Sequence, residues 1–371
     1  MHCASLGEYE QGRPLLEKIR KIYPRYKILL TFFSPSGYTV VKAVADYVFY
    51  LPFGSRRLSS RFIRLTKPTL VLWVKYDYWY YYLDELKQMN IPVLLISAYF
   101  YKEQAFFKWY GGMQRQMLSC FRRIFVQTGH SKELLEKIGF SALTTISGDT
   151  RFDRVIEIAE GFNAIELIES FCGNKQVIVA GSTWTEDEEE LDHFANKHPE
   201  IAFIIAPHEI HEAHLKEIEK LFKKTLRLSS LQTQLSDRSM STQQDGNSPN
   251  VLIIDNIGML SRLYRYATIA YVGGGFGDDG VHNVLEAAVY GKPVVFGPVF
   301  NKYIEAIDLL EEGAAYTIET ALELEGVFNE LLKDQGLYLE VCDAARRYVY
   351  SKKGATEKIV IYIQENRLLT N

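Results

Sequence analysis

A glycine-rich loop followed by a histidine, an asparagine and a glutamate is the part of this sequence best suited to chemistry. Three glycines at 273–275 follow an apolar run at 268–272, and a predicted helix begins near His282. Backbone N–H groups that converge where a loop enters a helix suit an anion such as a phosphate. Glu286 lies one helical turn beyond His282 and Asn283, where a carboxylate can accept hydrogen bonds from a ribose diol. The pattern favours a nucleotide, although glycines alone are equally typical of a tight turn.

A second candidate for chemistry lies at the amino end. The segment HCASLGEYEQG at 2–12 precedes a predicted helix from Arg13 to Ile22. Its Gly7-Glu8 pair, in a strand-to-helix turn, places a carboxylate where it can take a proton from an acceptor hydroxyl. The alternative is that Glu8 only complements the helix dipole. Residue types alone favour that alternative.

Composition sets the broad class of the protein. A length of 371 residues fits two domains of ordinary size, and 47% hydrophobic with 24% charged residues is typical of a soluble globular chain. The net charge of -4 argues against a general nucleic-acid binder. The four cysteines have no CxxC spacing, which indicates free thiols in a reducing cytoplasm. No apolar run is long enough to span a bilayer.

The elements that must position these residues alternate between short apolar segments and amphipathic helical stretches, which predicts an α/β fold of two doubly wound parallel sheets. The predicted strands are Ile28–Phe32, Leu70–Val74, Val93–Ser97 and Arg123–Gln127 in the first series, and Val177–Ala180, Ala202–Ala206, Val251–Ile254, Ile269–Val272, Pro293–Phe296 and Ala314–Tyr316 in the second. Ligands of such sheets bind at the carboxyl ends of the strands, so we expect the site in the cleft between domains.

The domains are predicted at 1–160 and 161–350, with the seam between Asp149 and Gly173. A final helix, predicted from Leu337 to Arg367, is expected to cross back, so that 351–371 joins the first domain. The polar segment Ser229–Asn250 lacks large apolar residues and is predicted to be a mobile surface insertion.

Several motifs, in order along nearly the whole chain, resemble those of the 3-deoxy-D-manno-octulosonic acid (Kdo) transferases, glycosyltransferase family 30. The matching segments are the HxxSxGE start, Ser34-Pro35-Ser36-Gly37, Tyr50-Leu51-Pro52, Gly148-Asp149-Thr150-Arg151-Phe152-Asp153, Gly181-Ser182-Thr183, Ala206-Pro207-His208-Glu209 and the glycine loop with its His-Asn-x-Leu-Glu. The resemblance implies a GT-B glycosyltransferase with two Rossmann-like domains. It also implies an inverting transfer of Kdo from CMP-Kdo to a lipid A precursor, without metal or cofactor.

The resemblance assigns roles to individual residues. Glu8 would be the catalytic base that deprotonates the acceptor hydroxyl. Arg151 would bind the sugar carboxylate, since a guanidinium can do so through two parallel hydrogen bonds. The other donor-binding residues would be Ser182, Thr183, Pro207, His208, Gly274, Gly275, His282, Asn283 and Glu286. For His208, a capping or core histidine is a comparable interpretation. The acceptor side would include Ser5, Gly7, Ser36, Gly37 and Asp77.

Some positions depart from the family pattern. Where many relatives carry Glu-x-Glu-Leu-Trp, this chain has the sequence KYDYW at 75–79, so only Asp77 has a counterpart. Trp184 replaces a common histidine, and the sequence PFG at 52–54 lacks an acid. These departures affect acceptor contacts more than the donor site. The alternatives are another GT-B enzyme, such as a nucleotide-sugar epimerase or a lipid-disaccharide transferase, and an inactive lipid-binding relative.

A mixture of aromatic and basic residues in the first domain suits an anionic membrane surface, although each residue fits a core or a solvated face equally well. It comprises Arg56, Arg57, Arg61, Arg64, Trp79, Phe106, Phe107, Lys108, Trp109, Arg115, Arg122 and Arg123. Relatives usually have an anchoring segment and a first strand before HxxSxGE, whereas here Met1 directly precedes His2. We therefore expect peripheral, salt-sensitive binding at the cytoplasmic face of the bacterial inner membrane.

Overall fold

Parallel strands alternate with helices throughout the computed structural model, which describes residues 1–35, 38, 45–75, 77–236 and 248–370. The strands are β1 Leu29–Phe32, β2 Tyr47–Tyr50, β3 Val71–Val74, β4 Val93–Ala98, β5 Arg123–Val126, β6 Thr144–Ile146, β7 Val177–Thr183, β8 Ala202–Pro207, β9 Thr225–Arg227, β10 Val251–Ile253, β11 Ile269–Val272, β12 Val294–Phe296 and β13 Ala315–Thr317. The helices are α1 Leu6–Ile22, α2 Arg56–Thr66, α3 Tyr80–Gln88, α4 Gly112–Leu118, α5 Gly129–Lys137, α6 Thr150–Glu160, α7 Glu166–Cys172, α8 Thr185–Lys197, α9 Glu212–Leu221, α10 Leu228–Ser236, α11 Leu260–Leu263, α12 Leu285–Ala288, α13 Ile304–Glu311, α14 Ala321–Lys333, α15 Gln335–Ser351 and α16 Ala355–Glu365.

The chain divides into two units, the first formed by Met1–Arg154 together with Lys352–Asn371, and the second by Val155–Ser351. Among the described helices, none combines the length and the hydropathy of a bilayer-spanning segment.

The first unit contains two sets of parallel strands, β1 with β2 and β3 through β6 in chain order. Residues 1–3 lie between these sets, because His2 forms parallel bridges to both Thr31 and Trp73. The His2 amide donates to the carbonyl of Leu72 at 2.9 Å, and the Thr31 amide donates to that of Met1 at 3.0 Å. The first residues therefore connect the backbones of β1 and β3.

The C-terminal helix completes the core of the first unit. Ile359, Val360 and Ile363 of α16 are buried in one cluster with residues of α1 and β1. The carboxylate of Asp153 accepts hydrogen bonds from the amides of Gly354 and Thr356, each at 2.6 Å. Acceptors at a helix amino end satisfy amides that have no partner within the helix. The Gly-Asp-Thr-Arg-Phe-Asp motif thus holds the last helix in place.

The second unit is built on a seven-stranded sheet in the order β13-β12-β11-β7-β8-β10-β9, and all its pairs are parallel. The central strands β7, β8 and β11 are almost wholly buried, which explains their continuous apolar sequences. Because every strand runs in the same direction, the residues that follow β7, β8 and β11 meet at one edge of the sheet.

Three of the predicted helices differ from the observed ones. The first begins at Leu6 instead of Arg13, because Ser5 caps it through a hydrogen bond from the Glu8 amide. The final helix is two helices, α15 and α16, separated at Gly354, whose φ of 109° is left-handed. The helix predicted near His282 begins at Leu285 and has four residues. Of the polar segment Ser229–Asn250, residues 237–247 lie outside the described part of the chain.

Candidate functional site

The glycines after β11 are required by close backbone packing. A side chain on Gly274, whose φ is 88°, would lie 2.7 Å from both the Gly280 carbonyl and the His282 ring, and one on Gly275 would lie 2.6 Å from the Gly297 amide. The Gly273 amide donates to the Gly181 carbonyl at 2.9 Å. The Gly274 amide donates to the Asp187 carboxylate at 2.9 Å. These two amides are therefore bonded within the protein, which leaves less of the loop for the phosphate expected there.

The short α12 has a local cause. The amide of Val281 donates to the carbonyl of Val299 at 2.9 Å, and the amide of His282 donates to that of Gly273 at 3.0 Å. These bonds hold 281–282 outside the helix. Asn283 then caps α12, since its side-chain oxygen accepts from the Leu285 amide at 3.3 Å. The amino end of this helix therefore starts three residues after His282.

Asn283 and Glu286 form the pair expected from the sequence. The Asn283 side-chain amide donates to a carboxylate oxygen of Glu286 at 3.1 Å. Both residues are half-buried, so this polar pair lies near the surface at the carboxyl end of β11. The hydrogen bond fixes the direction of the carboxylate, which is the arrangement needed to receive ribose hydroxyls.

Three rings meet beside this pair. The His208 ring stacks on Trp184 at 4.7 Å and on His282 at 4.6 Å between centroids. The Trp184 indole N–H donates to Nε2 of His282 at 3.2 Å, so the neutral imidazole carries its hydrogen on Nδ1. Burial, with a smaller contribution from the charge of His208, lowers the pKa of His282 to about 4. His282 is therefore neutral at physiological pH.

The remaining donor candidates lie at the ends of β7 and β8. Thr183 is opposite Pro207 in the parallel pair, and the His208 amide donates to the Thr183 carbonyl at 2.9 Å. Ser182 has a left-handed φ of 54°, a strained conformation that brings the chain out of the strand. The structure thus collects Ser182, Thr183, Pro207, His208, Gly274, Gly275, His282, Asn283 and Glu286 at one edge of the second sheet.

Two buried acids and one aromatic residue in this region were not among the predicted site residues. Asp187 accepts hydrogen bonds from the Tyr271 hydroxyl at 2.7 Å and from the amides of Trp184 and Gly274, both at 2.9 Å. Burial raises the pKa of Asp187 despite these bonds. The signal in the sequence was an acid three residues after Trp184, the residue that precedes α8, which is typical of a helix cap. Asp187 and Trp184 position the loop and the histidines.

Glu188 is the second buried acid. One of its oxygens accepts from the Thr183 hydroxyl at 2.8 Å and lies 3.2 Å from Nε2 of His214, while the other has no partner in the described structure. Burial raises the pKa of Glu188 to about 8, against a lowering effect of the Thr183 bond. The Thr183 hydroxyl is thus used inside the unit.

We expect Glu188→Gln to raise the free energy of unfolding more at pH 8 than at pH 4.5. The side chain of Glu188 ionises near pH 4.5 in the unfolded chain but near pH 8 in the folded one. Glu188 therefore lowers the free energy of unfolding progressively as pH rises between those values. Glutamine removes this loss, which approaches about 1.4 kcal/mol for each pH unit. Denaturant unfolding from pH 4.5 to 8 measures it, with the exposed neighbour in Glu189→Gln as control. A less stable variant at pH 8 would instead indicate an ionic Glu188–His214 pair.

Arg151 belongs to the first unit, whereas the other donor candidates belong to the second. Its guanidinium binds the buried carboxylate of Asp149 through Nε at 2.9 Å and a terminal nitrogen at 2.8 Å. Burial opposes ionisation of Asp149, but the charge and hydrogen bonds of Arg151 outweigh it and lower the pKa of Asp149. Both nitrogens contact the same oxygen, Oδ2, while Oδ1 accepts from the Arg151 backbone amide at 2.9 Å, so part of the guanidinium is already engaged by an acid of this chain.

Glu8 lies in the first turn of α1, at the carboxyl side of residues 1–3. Its carboxylate accepts from the Ala4 amide at 2.5 Å, and its own amide donates to the Ser5 hydroxyl at 3.4 Å. This reciprocal arrangement is close to a capping box. Glu8 is half-buried and Gly7 is exposed. The cap explains the local geometry and leaves the proposed role as a base to be tested.

The histidine of the HxxSxGE segment, His2, is buried inside the first unit. His2 is buried against Trp73, and its ring hydrogen-bonds the Thr31 hydroxyl at 3.0 Å. Burial and the nearby amino terminus lower the pKa of His2 to about 3, so it is neutral.

Asp77 follows β3, the strand beside residues 1–3, and burial raises the pKa of its half-buried carboxyl. Its carbonyl accepts from the Trp73 indole. Ser36 and Gly37 lie outside the described residues.

Comparison with solved structures defines the class of protein. The chain is similar to the UDP-GlcNAc 2-epimerase from Neisseria meningitidis bound to UDP-GlcNAc, with a TM-score of 0.66, 18% identity and coverage of 98% of both chains. At this identity the likeness shows the fold alone. The fold is that of the GT-B class, in which one chain forms two Rossmann-like domains.

Sequence comparison relates the chain to one group of transferases. Residues 1–154 match the family model described as 3-deoxy-D-manno-octulosonic-acid transferase (kdotransferase). The chain is 28% identical to the 3-deoxy-D-manno-octulosonic acid transferase of Aquifex aeolicus, over 90% of this chain and 85% of that protein. It is 26% identical to a bifunctional glycosyltransferase/methyltransferase of Fusobacterium nucleatum, over 100% of this chain, which spans only 55% of that protein. Over most of its length the chain is thus similar to 3-deoxy-D-manno-octulosonic acid transferases, and its first 154 residues match the model of that family.

Proposed function

We propose that this protein is an inverting glycosyltransferase that moves Kdo from CMP-Kdo to a lipid A precursor in lipopolysaccharide synthesis. The observation that carries the donor half is the oriented Asn283–Glu286 pair beside the rings of Trp184, His208 and His282. Such an arrangement suits a nucleoside, because a carboxylate can accept hydrogen bonds from the ribose hydroxyls and flat rings can pack against the base. The similarity to 3-deoxy-D-manno-octulosonic acid transferases supports the identity of the sugar.

In the proposed reaction Glu8 accepts the proton of an acceptor hydroxyl. The hydroxyl oxygen then attacks the anomeric carbon of Kdo while the bond from that carbon to the phosphate oxygen breaks. CMP leaves from the face opposite the attack, so the configuration at the anomeric carbon is inverted. The Ala4 amide bonded to Glu8 stabilises the ionised carboxylate that this step needs. It also holds the carboxylate in one direction.

On the donor side Glu286 would bind the ribose hydroxyls, with its direction set by Asn283. His282, which is neutral, would offer its Nδ1 hydrogen as a donor without adding charge. The exposed His208 and the Ser182 hydroxyl are the further groups at this edge that can reach the phosphate. Arg151 remains our candidate for the sugar carboxylate.

The direct test is to incubate the protein with CMP-Kdo and a tetraacylated lipid A precursor and to weigh the lipid products. We expect lipid that has gained Kdo and an equal amount of released CMP. CMP release without Kdo on the lipid would mean hydrolysis of the donor. Intact CMP-Kdo together with epimerisation of a UDP-sugar would replace the proposal by its main alternative.

A peripheral position on the anionic inner membrane is part of the proposal. Arg56, Arg57 and Arg61 are exposed on α2 and have no carboxylate within 4 Å in the described structure. Trp109 is 91% exposed and Phe53 is 72% exposed. Other members of the predicted mixture have structural contacts instead: Phe106 is buried, Arg115 binds the carbonyls of Phe106 and Lys108, and Arg123 binds that of Ala142.

We expect the protein to sediment with phosphatidylglycerol-containing vesicles at low salt, and to be released by salt. Changing Arg56, Arg57 and Arg61 together to glutamine should lower vesicle binding at least about tenfold, because each arginine near the surface contributes independently. The matched control changes Lys216, Lys220 and Lys223 of the second unit. Equal loss in the control, or no binding to anionic vesicles at low salt, would contradict a membrane role for α2.

A further inference from the structure

The second unit contains a polar cavity of about 290 Å³ that none of the donor candidates lines. Its walls include Arg265, Arg346, Tyr290, Tyr350 and Phe162. Arg265 precedes β11 and Tyr290 precedes β12, so both lie towards the amino ends of these strands. Most donor candidates follow the carboxyl ends of the strands, but Glu286 lies four residues before Tyr290, close enough for its charge to act on that phenol.

The two guanidinium groups have no counter-ion. Among the described residues no carboxylate lies within 4 Å of either Arg265 or Arg346. Each instead lies over a ring of the same cavity, Arg265 at 5.9 Å from the centre of Phe162 and Arg346 at 5.6 Å from that of Tyr350. Stacked guanidinium groups keep their N–H edges for an oxyanion. Two positive charges thus share one concave surface, and no carboxylate of the described residues lies within ion-pair distance of either.

A phenol completes the set of donors. The Tyr290 hydroxyl is buried and has no hydrogen-bond partner in the described structure. Burial raises the pKa of Tyr290 to about 12, so the group stays a neutral donor at physiological pH. A buried hydroxyl without a partner is unfavourable, and an acceptor brought by a ligand would relieve this.

We propose that this cavity binds the phosphate group of a small phosphate monoester. The guanidinium groups of Arg265 and Arg346 would receive its oxygens, and the Tyr290 hydroxyl would donate to one of them. The rings of Phe162 and Tyr350 add flat surfaces to this mainly polar cavity, against which the organic part of such a molecule can pack. The proposal does not depend on the reaction at the other edge of the sheet.

The test is calorimetric titration of the whole protein with inorganic phosphate and with a sugar phosphate, at constant low ionic strength and with acetate as the reference anion. We expect both phosphates to bind, the ester more tightly, and acetate to bind more weakly. Changing Arg265 and Arg346 together to glutamine should lower phosphate affinity at least about tenfold. Arg347→Gln, the exposed neighbour on α15, should leave it unchanged.

Tyr290→Phe separates ligand binding from folding. Removal of an unpartnered hydroxyl should keep or raise the melting temperature without ligand, while phosphate affinity falls severalfold. A purely structural tyrosine would not give these opposite changes. Saturating CMP should leave phosphate bound, because none of the donor candidates lines the cavity. The proposal is overturned if phosphate fails to bind, if the double arginine variant binds it normally, or if CMP displaces it.

Discussion

Glu8→Gln is expected to lower Kdo transfer by at least about a hundredfold, because an acceptor hydroxyl is a poor nucleophile until a base removes its proton. Glutamine can still accept the hydrogen bond from the Ala4 amide, so the cap of α1 is retained and only the basicity is lost. We therefore expect an unchanged melting temperature and unchanged CMP affinity beside the loss of turnover. Initial rates with radiolabelled acceptor measure it.

Glu10 provides the internal control. It lies on the same helix, pairs with the Arg13 guanidinium at 3.6 Å and is half exposed, so Glu10→Gln should keep near-normal turnover. If Glu8 only caps the helix, Glu8→Gln will lower stability slightly and leave transfer nearly intact. That outcome, or a collapse in Glu10→Gln alone, would remove Glu8 from the reaction.

Glu286→Ala is expected to weaken CMP binding by about 2 to 4 kcal/mol, a factor of roughly 30 to 1000, through the loss of charged hydrogen bonds to the ribose. The side-chain amide of Asn283 also loses its acceptor, so the local geometry changes as well. Glu286→Gln keeps an oxygen for that amide and separates the two effects. Calorimetric titration with CMP gives the affinities.

The matched control is Glu311→Ala, which removes an exposed carboxylate from the same unit, at the end of α13. It should bind CMP normally. Normal CMP affinity in Glu286→Ala would exclude Glu286 from the donor site, and an equal loss in Glu286→Gln and Glu286→Ala would assign the effect to the charge instead of to Asn283.

The sequence predicted the buried strands more fully than the exposed ones. All ten predicted strands are present within three residues of their expected ends, because continuous apolar segments between turns leave little choice. The missed strands are β2, β6 and β9. Tyr47 and Phe49 of β2 are about half exposed, and β9 has three half-buried residues, so neither shows the buried pattern. Edge strands are defined by their neighbours more than by their own residues.

For the candidate site too, the sequence predicted only part of the arrangement. Residues that follow a strand end, such as His208 and Asn283, could be placed at the edge of the sheet from order alone. For Asp187 only the local cap to the Trp184 amide could be predicted, because its other two donors, Tyr271 and Gly274, lie 84 and 87 residues further along the chain. Such contacts depend on tertiary packing that no local pattern reveals.

The position of α16 has a consequence for how the chain folds during synthesis. Domains generally fold from the amino end as they leave the ribosome. Here the core that holds α1 and β1 also needs Ile359 and Ile363, and the Asp153 carboxylate receives its amide donors only from Gly354 and Thr356. The unit made first must therefore wait for the residues made last, while 155–351 can complete its core earlier. The nascent first unit would thus expose apolar surface for most of translation, which is the period when chaperones act.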